Sequence, residues 1–289
     1  MKNFWRLDSM QKWAFLLLFI PLSSSASGLE TPLISSSTLS DIHKLQKNEL
    51  SPSTAPLAAL SVFPENLKFE ISWGPVNVGE ASLEVAQKVS FDGRPAYHIV
   101  SQAKSNSFCD VFYRVRDLNE SWMDAVNLSS LGYSKNLREG HFFRDEWVFF
   151  NHDTHSFLAK TGSKSGSVVY STGPIITHIE DILSSLYYLR SQTLTPGKNI
   201  FVNVNTKKNW PLLVRVIRKE KITVPAGTFD TILVEPLVRK HGIFVQKGRK
   251  LQVWLTDDAK KIPVQMQVDI LFGHVNAVLV SGVKGFLGL

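Results

Sequence analysis

The residues whose types could do chemistry are few. His152-Asp153-Thr154-His155 puts two imidazoles and a carboxylate in one short run, donor types that suit zinc. The same run lies between Phe149-Phe150 and Phe157, and Asn151 and Asp153 are ordinary turn formers, so it also reads as the turn after a strand. No third histidine stands at a metal-site spacing. The expectation is therefore no resident metal, with His152, Asp153 and His155 the residues that would offer one a start. Asp257-Asp258 suggests the paired acids of glycoside hydrolysis, which must flank a bond. Neighbours in a turn point apart, however, and Lys260 and Lys261 supply counter-charge beside them. The serine-rich stretch Ser163–Ser167 lacks the Gly-x-Ser-x-Gly elbow of a hydrolase. No phosphate-cradling loop or dinucleotide fingerprint is present, so no cofactor is expected.

Two other sets suit binding better than catalysis. Asp181, Tyr187, Tyr188 and Arg190 share one helical stretch and could meet a ligand with a carboxylate, two hydroxyls and a guanidinium. Their plainer roles are a carboxylate at the positive helix end, a cation at the negative end and tethered buried phenols. The segment from Arg239 to Lys250 has cations on both sides of an apolar tip. Ile243, Phe244 and Val245 could enter acyl chains while Arg239, Lys240, Lys247, Arg249 and Lys250 meet anionic headgroups, at ~1 kcal/mol per cation.

The elements that must position these residues follow from period. Thr177–Arg190 is the one clear helix: Ile179, Ile182, Leu183 and Leu186 make one stripe. Thr177 with Glu180 reads as a capping box, and Leu194-Thr-Pro-Gly197 stops the helix. Elsewhere the period is that of strands. Leu67, Phe69, Ile71 and Trp73 alternate with polar residues, as do Val111, Tyr113 and Val115, and later Trp210, Leu212, Val214 and Val216. Gly74-Pro75, Asp92-Gly93 and Pro225-Ala-Gly-Thr228 turn the chain. The expected fold is mainly β: a large curved antiparallel sheet, either a half-barrel or two related β halves (62–175 and 198–285), with one central helix at 177–190.

The ends and the totals set the context. Met1–Gly28 has the positive, apolar and small-residue regions of a secretory signal, and its apolar run Trp13–Leu22 is short of the ~20 residues of a membrane span. Residues 29–61, rich in Ser, Thr and Pro, read as a flexible linker ahead of a β-rich domain at 62–285. The single cysteine, Cys109, excludes an internal disulfide and reads as a small core residue. It does not stand near the cleavage site, so it offers no lipid attachment there. The expected location is periplasmic, peripheral to a membrane at most. Charge is uneven: 12 basic against 15 acidic residues from Val62 to Gly197, but 14 against 5 from Lys198 to Lys261. The later strands are thus expected to face something anionic, lipid or glycan. Nucleic acid is a poor partner for an exported chain.

Three blocks carry a family resemblance: Asp181-Ile-Leu-Ser-Ser-Leu-Tyr-Tyr-Leu-Arg190, Pro225-Ala-Gly-Thr-Phe229 ahead of Val234-Glu-Pro236, and Trp254-Leu-Thr-Asp-Asp-Ala-Lys-Lys-Ile-Pro-Val264. With Phe69–Trp73 and Gly79–Leu83 they resemble the bacterial envelope family called domain of unknown function 3108, over roughly Phe63 to Val283. The resemblance implies an exported, mostly antiparallel β protein of the Gram-negative envelope with no established activity. It transfers no site residues.

Three functions follow in order of expectation. The first is a non-catalytic envelope protein whose sheet binds or shields an amphiphilic lipid component. The second is an interaction module for cell-wall or polysaccharide machinery, partnered by another envelope protein. The third is a metal-dependent hydrolase. A filled interior favours the second over the first.

Overall fold

The computed structural model describes residues 64–237, 250–270 and 273–282. Eight strands run first as a meander: β1 (Glu65–Trp73), β2 (Val76–Phe91), β3 (Arg94–Ser105), β4 (Arg116–Asp124), β5 (Ser130–Glu139), β6 (Phe142–Asn151), β7 (Ser156–Ser163) and β8 (Val168–Pro174). A one-turn helix, α1 (Ser107–Asp110), interrupts them after β3. Helix α2 (Ile182–Ser191) follows β8. Six strands complete the chain: β9 (Asn199–Asn205), β10 (Asn209–Val224), β11 (Gly227–Leu237), β12 (Leu251–Thr256), β13 (Pro263–Asp269) and β14 (His274–Ser281). β14 returns to pair with β1, so strands from both sides of α2 form one 14-stranded sheet with β8 and β9 at its edges. Every strand pair is antiparallel. The sheet is thus the expected large antiparallel one with a helix against it, and it does not close into a barrel.

Alternation sets its two faces. In β1, Leu67, Phe69 and Ile71 are buried while Lys68 and Glu70 are exposed, the pattern of a strand with one face on a core. The outer face of β2–β4 carries stacked rings: His98 stacks on Trp122 at 5.2 Å and Trp122 on Phe91 at 4.9 Å. Gly132 makes this possible. A Cβ there would lie 2.6 Å from the Val148 carbonyl oxygen and 3.2 Å from the Phe91 ring.

The helix differs from its expected form. Glu180 does not cap it with Thr177. Its backbone pairs with β9 instead, donating to the Asn203 carbonyl and accepting from the Asn205 N–H, both at 2.8 Å. Ile179 likewise accepts from the Ser130 N–H at 2.9 Å, so the chain is still extended where the apolar period begins. The helix starts at Ile182, and Asp181 caps it, with Ser184 completing the capping box. Its buried residues are Leu183, Ser184, Ser185, Tyr187, Leu189 and Arg190; of the expected stripe, Ile179 is buried ahead of the helix, and Ile182 and Leu186 pack half-buried against the core. A second difference lies at Val111, which follows α1 in a turn instead of opening a strand.

The edges β8 and β9 approach without pairing. The Asn209 side chain donates to the Pro174 carbonyl at 2.9 Å, and Lys207 reaches Glu146 on β6 and Thr161 on β7. The main core gathers side chains of β1–β4, the helix and β9–β14, and a separate smaller cluster of Tyr133, Val148, Phe150, Phe157, Ala159, Ile175 and Ile179 fills β5–β7 and the chain after β8. Two clefts among the described residues offer about 30 and 10 Å³, room for water rather than an acyl chain.

Candidate functional site

Each candidate residue has a definite place. Arg190 meets Glu65, the first residue of β1, through two hydrogen bonds of 2.9 and 2.6 Å. The Tyr187 hydroxyl donates to the same carboxylate at 2.7 Å, and all three side chains are buried. Burial, with Glu65 beside it, drives the Tyr187 phenol well above its ordinary range. Asp181 accepts from the Leu183 and Ser184 N–H groups through one oxygen and from the Ser121 and Ser130 hydroxyls, both at 2.6 Å, through the other. Tyr188 is half-buried against His178, with ring centres 4.8 Å apart. The structure therefore brings Asp181, Tyr187 and Arg190 into the anchorage of the helix, with their polar atoms directed at the chain's own groups.

His152, Asp153 and His155 do not converge. His152 Nε2 lies 2.7 Å from the Ser130 carbonyl, Asp153 is exposed with Arg94 3.7 Å away, and His155 is exposed at a φ of 51°. No group of three metal-ligating side chains occurs among the described residues. Asp257 and Asp258 point apart: Asp257 pairs with Lys219 at 2.6 Å, while Asp258 accepts from the Lys260 and Lys261 N–H groups. Of the basic segment, Arg239, Lys240, Ile243, Phe244, Val245, Lys247 and Arg249 lie outside the described residues. Lys250 Nζ stands 3.7 Å from Glu235.

The buried polar groups that sequence reasoning missed sit on the inward face of β5 and β6. Glu146 accepts from the Tyr133 hydroxyl at 2.8 Å and is paired by Lys207, with Lys135 3.8 Å away; against the opposing effect of burial, the Lys135 and Lys207 charges hold its carboxyl low. Nearer the β5–β6 turn, Glu139 lies buried beside Asp117; burial and that charge push its carboxyl up to about 9. Lys135 and Glu139 share the inward face with Tyr133 and Leu137 at two-residue spacing, so the sequence shows the period of the face and not the partners of these groups.

One surface stands apart. The β1–β2 turn, α1 with the chain after it, the β5–β6 turn and the β7–β8 turn share one rim of the sheet, as the antiparallel order requires. Hydrogen bonds tie them together. Asn106 donates from its backbone to the Val78 carbonyl and from its side chain to Asn77, and Gly140 donates to Arg114 at 2.7 Å. Phe108, Val111 and Phe112 project from it at 65, 76 and 56 % exposure, beside Trp73 and Val76 in the neighbouring turn. Only Cys109 of α1 turns inward, and burial raises its thiol. A one-turn helix capped by Asn106 can spare one side chain for the core, so its other apolar residues face out. Farther along, Arg138 and Lys164 sit over the Phe143 ring at 5.4 and 4.6 Å, and Arg144 over Phe142 at 5.6 Å. Arg114 is exposed between the two groups. The chain enters and leaves its basic segment at this rim as well: Asp269 donates to the Lys250 carbonyl, and His274, paired with Asp269, accepts from Gly74.

The family model described as protein of unknown function DUF3108 matches residues 68–280. The chain belongs to that family. No curated protein matches it. Among solved structures, the DUF3108 sheet resembles a β-barrel-like protein of domain of unknown function DUF1849 from Brucella abortus. Identity is 8 %, coverage is 76 % of this chain and 97 % of that one, and the TM-score is 0.51. At that identity the likeness concerns the fold. Two further matches are a provisionally described lipoprotein from Parabacteroides distasonis (9 % identity, 79 and 97 % coverage, TM-score 0.34) and a provisionally described exported protein from Bacteroides fragilis (7 %, 76 and 96 %, 0.33). No helix among the described residues of this DUF3108 chain is long and apolar enough to cross a membrane.

Proposed function

We propose that this DUF3108 protein is a non-catalytic, exported envelope protein that docks on anionic lipid through its rim. The observation that carries the reading is the rim itself, where Phe108, Val111 and Phe112 stand exposed on one turn of chain next to Trp73 and Val76. Isolated apolar residues on a surface are ordinary, but a protruding cluster flanked by cations is an interaction surface. Aromatic and aliphatic tips enter the acyl boundary of a bilayer, while Arg114, Arg144 and Lys164 meet phosphate and Arg138 is held by Asp145 at 2.7 Å. The small size of those two clefts argues for a lipid met at the surface over one enclosed by the sheet. It also favours the second reading, a module that recognises another envelope protein, for which the same rim would serve.

Cosedimentation with phosphatidylcholine vesicles, with and without phosphatidylglycerol, separates these. Binding to the anionic vesicles that weakens with salt, and that is lost in a variant carrying Phe108→Ser, Val111→Ser and Phe112→Ser, supports docking. Three partly inserted side chains contribute ~3 kcal/mol together, about a hundredfold in partitioning. Binding unchanged in that variant, or no binding at low salt, removes the proposal and leaves the protein-partner reading.

A further inference from the structure

The two edges of the sheet are treated differently. β9 is covered on its outer side, because Glu180 adds a parallel bridge at Val204 and uses the backbone of Asn203 and Asn205. No described residue covers β8 in that way. Among the described residues its only strand neighbour is β7, and Val168, Val169, Tyr170, Ser171 and Thr172 are all exposed. Exposed edges are normally protected by a charged side chain, a proline, a bulge or an overlying segment. From Ser165 to Thr177 the sequence holds no charge, Pro174 stands only at the strand's end, and the β7–β8 register runs without a shift.

The side chains on β8 also fail to alternate. Val168 and Tyr170 pair with Gly162 and Lys160 on the outer face, whereas Val169 pairs with Thr161 on the inner face. At 47, 64 and 62 % exposure, apolar residues stand on both faces of one edge strand. A strand paired on the open side would give each of these residues a cross-strand neighbour on its own face. Leu158 and Trp147, also exposed on β7 and β6, continue the outer apolar surface away from it.

We infer that β8 pairs antiparallel with β8 of a second copy of this chain, joining two sheets across a two-fold axis. An antiparallel pair of identical strands is self-complementary by construction, the requirement of a closed dimer. The uncharged run from Ser165 to Thr177 brings no like charge against itself, and the pairing satisfies a row of backbone groups that β7 leaves open. Antiparallel pairing sets the two rims at opposite ends of the joined sheet, so the lipid-facing turns lie outside the interface. The dimer is therefore independent of lipid, and its test needs none.

Sedimentation equilibrium of the purified protein in vesicle-free buffer measures this. The expected result is twice the mass of the chain, shifting to a monomer in Tyr170→Lys and in Val169→Pro with unchanged far-UV circular dichroism. Tyr170→Lys keeps the test secure if the proline variant fails to fold, since Tyr170 points outward on an edge. A single-cysteine scan over residues 168 to 172, in a Cys109→Ser background, should give an oxidised dimer band at alternate positions. A monomer at every accessible concentration, or a dimer that survives both substitutions, overturns the inference.

Discussion

Arg190, in the last turn of α2, and Glu65, at the first position of β1, meet as a bidentate pair with side chains 1 and 0 % exposed, 125 residues apart in the chain. The pair ties the helix to the middle of the sheet, where β1 lies between β2 and β14. Tyr187 donates to the same carboxylate, and the Arg190 Nε donates to the Lys260 carbonyl at 3.2 Å, so each guanidinium nitrogen and both carboxylate oxygens have a partner. Removing one partner leaves the other charge buried alone. Arg190→Leu is expected to cost about 3–5 kcal/mol, whereas Glu65→Leu with Arg190→Met is expected to recover much of that loss. Urea unfolding of the two single variants and the double variant measures the difference.

Asp181 joins the helix start to β4 and β5 through four accepted hydrogen bonds. Asp181→Ala removes the cap and strands two buried hydroxyls, a loss of roughly 2–4 kcal/mol. Asp181→Asn keeps an accepting oxygen for the cap and should lose about half as much. Thermal melts rank the two, and equal losses would mean that charge rather than acceptance is what the site needs.

The carboxyl of Glu139 gives a pH dependence of definite sign. Asp117, itself raised by burial, faces it, the Tyr113 phenol lies near both, and the Arg138 charge acts on Asp117. An unfolded glutamate ionises near pH 4.5, but the folded group keeps its proton to about 9. The folded pKa is raised, so the stability present in acid is lost as pH rises across that window, by at most about 1.4 kcal/mol per pH unit. Glu139→Gln cannot ionise. Its melting temperature should match the parent below pH 4.5 and exceed it increasingly toward pH 9.

The rim cations should act on binding and leave folding alone. Arg114→Glu and Lys164→Glu place a negative group where a phosphate would sit, each removing ~1 kcal/mol of attraction and adding repulsion. Phosphatidylglycerol vesicle binding is expected to fall about tenfold in each, with a shallower salt dependence and a melting temperature close to the parent's.

Much of the fold was legible in residue order. The period-2 alternation of Leu67, Phe69 and Ile71 needs only a half-buried pleat to explain it, and the turn residues at Gly74-Pro75 and Asp92-Gly93 separate strands that then pair in order. The helix was legible as an element but not in its limits. Thr177 and Glu180 have the residue types of a capping box, yet Glu180 is taken by the edge of β9, a partner more than twenty residues farther on. Val111 failed for a similar reason: alternation was present, but the Asn106 cap and the pull of Cys109 into the core made a helical turn instead.

The sequence alone determined a chain of alternating strands, one helix and a single thiol, because each is written in local composition and period. Tertiary structure alone decided which polar residues are anchors and which are surface. Arg190 and Asp181 look available as letters and are buried against groups 125 and 51 to 60 residues away, while Phe108 and Phe112 look like core and stand in solvent. Local sequence sets how a side chain alternates; only the curvature of the assembled sheet sets what it alternates toward.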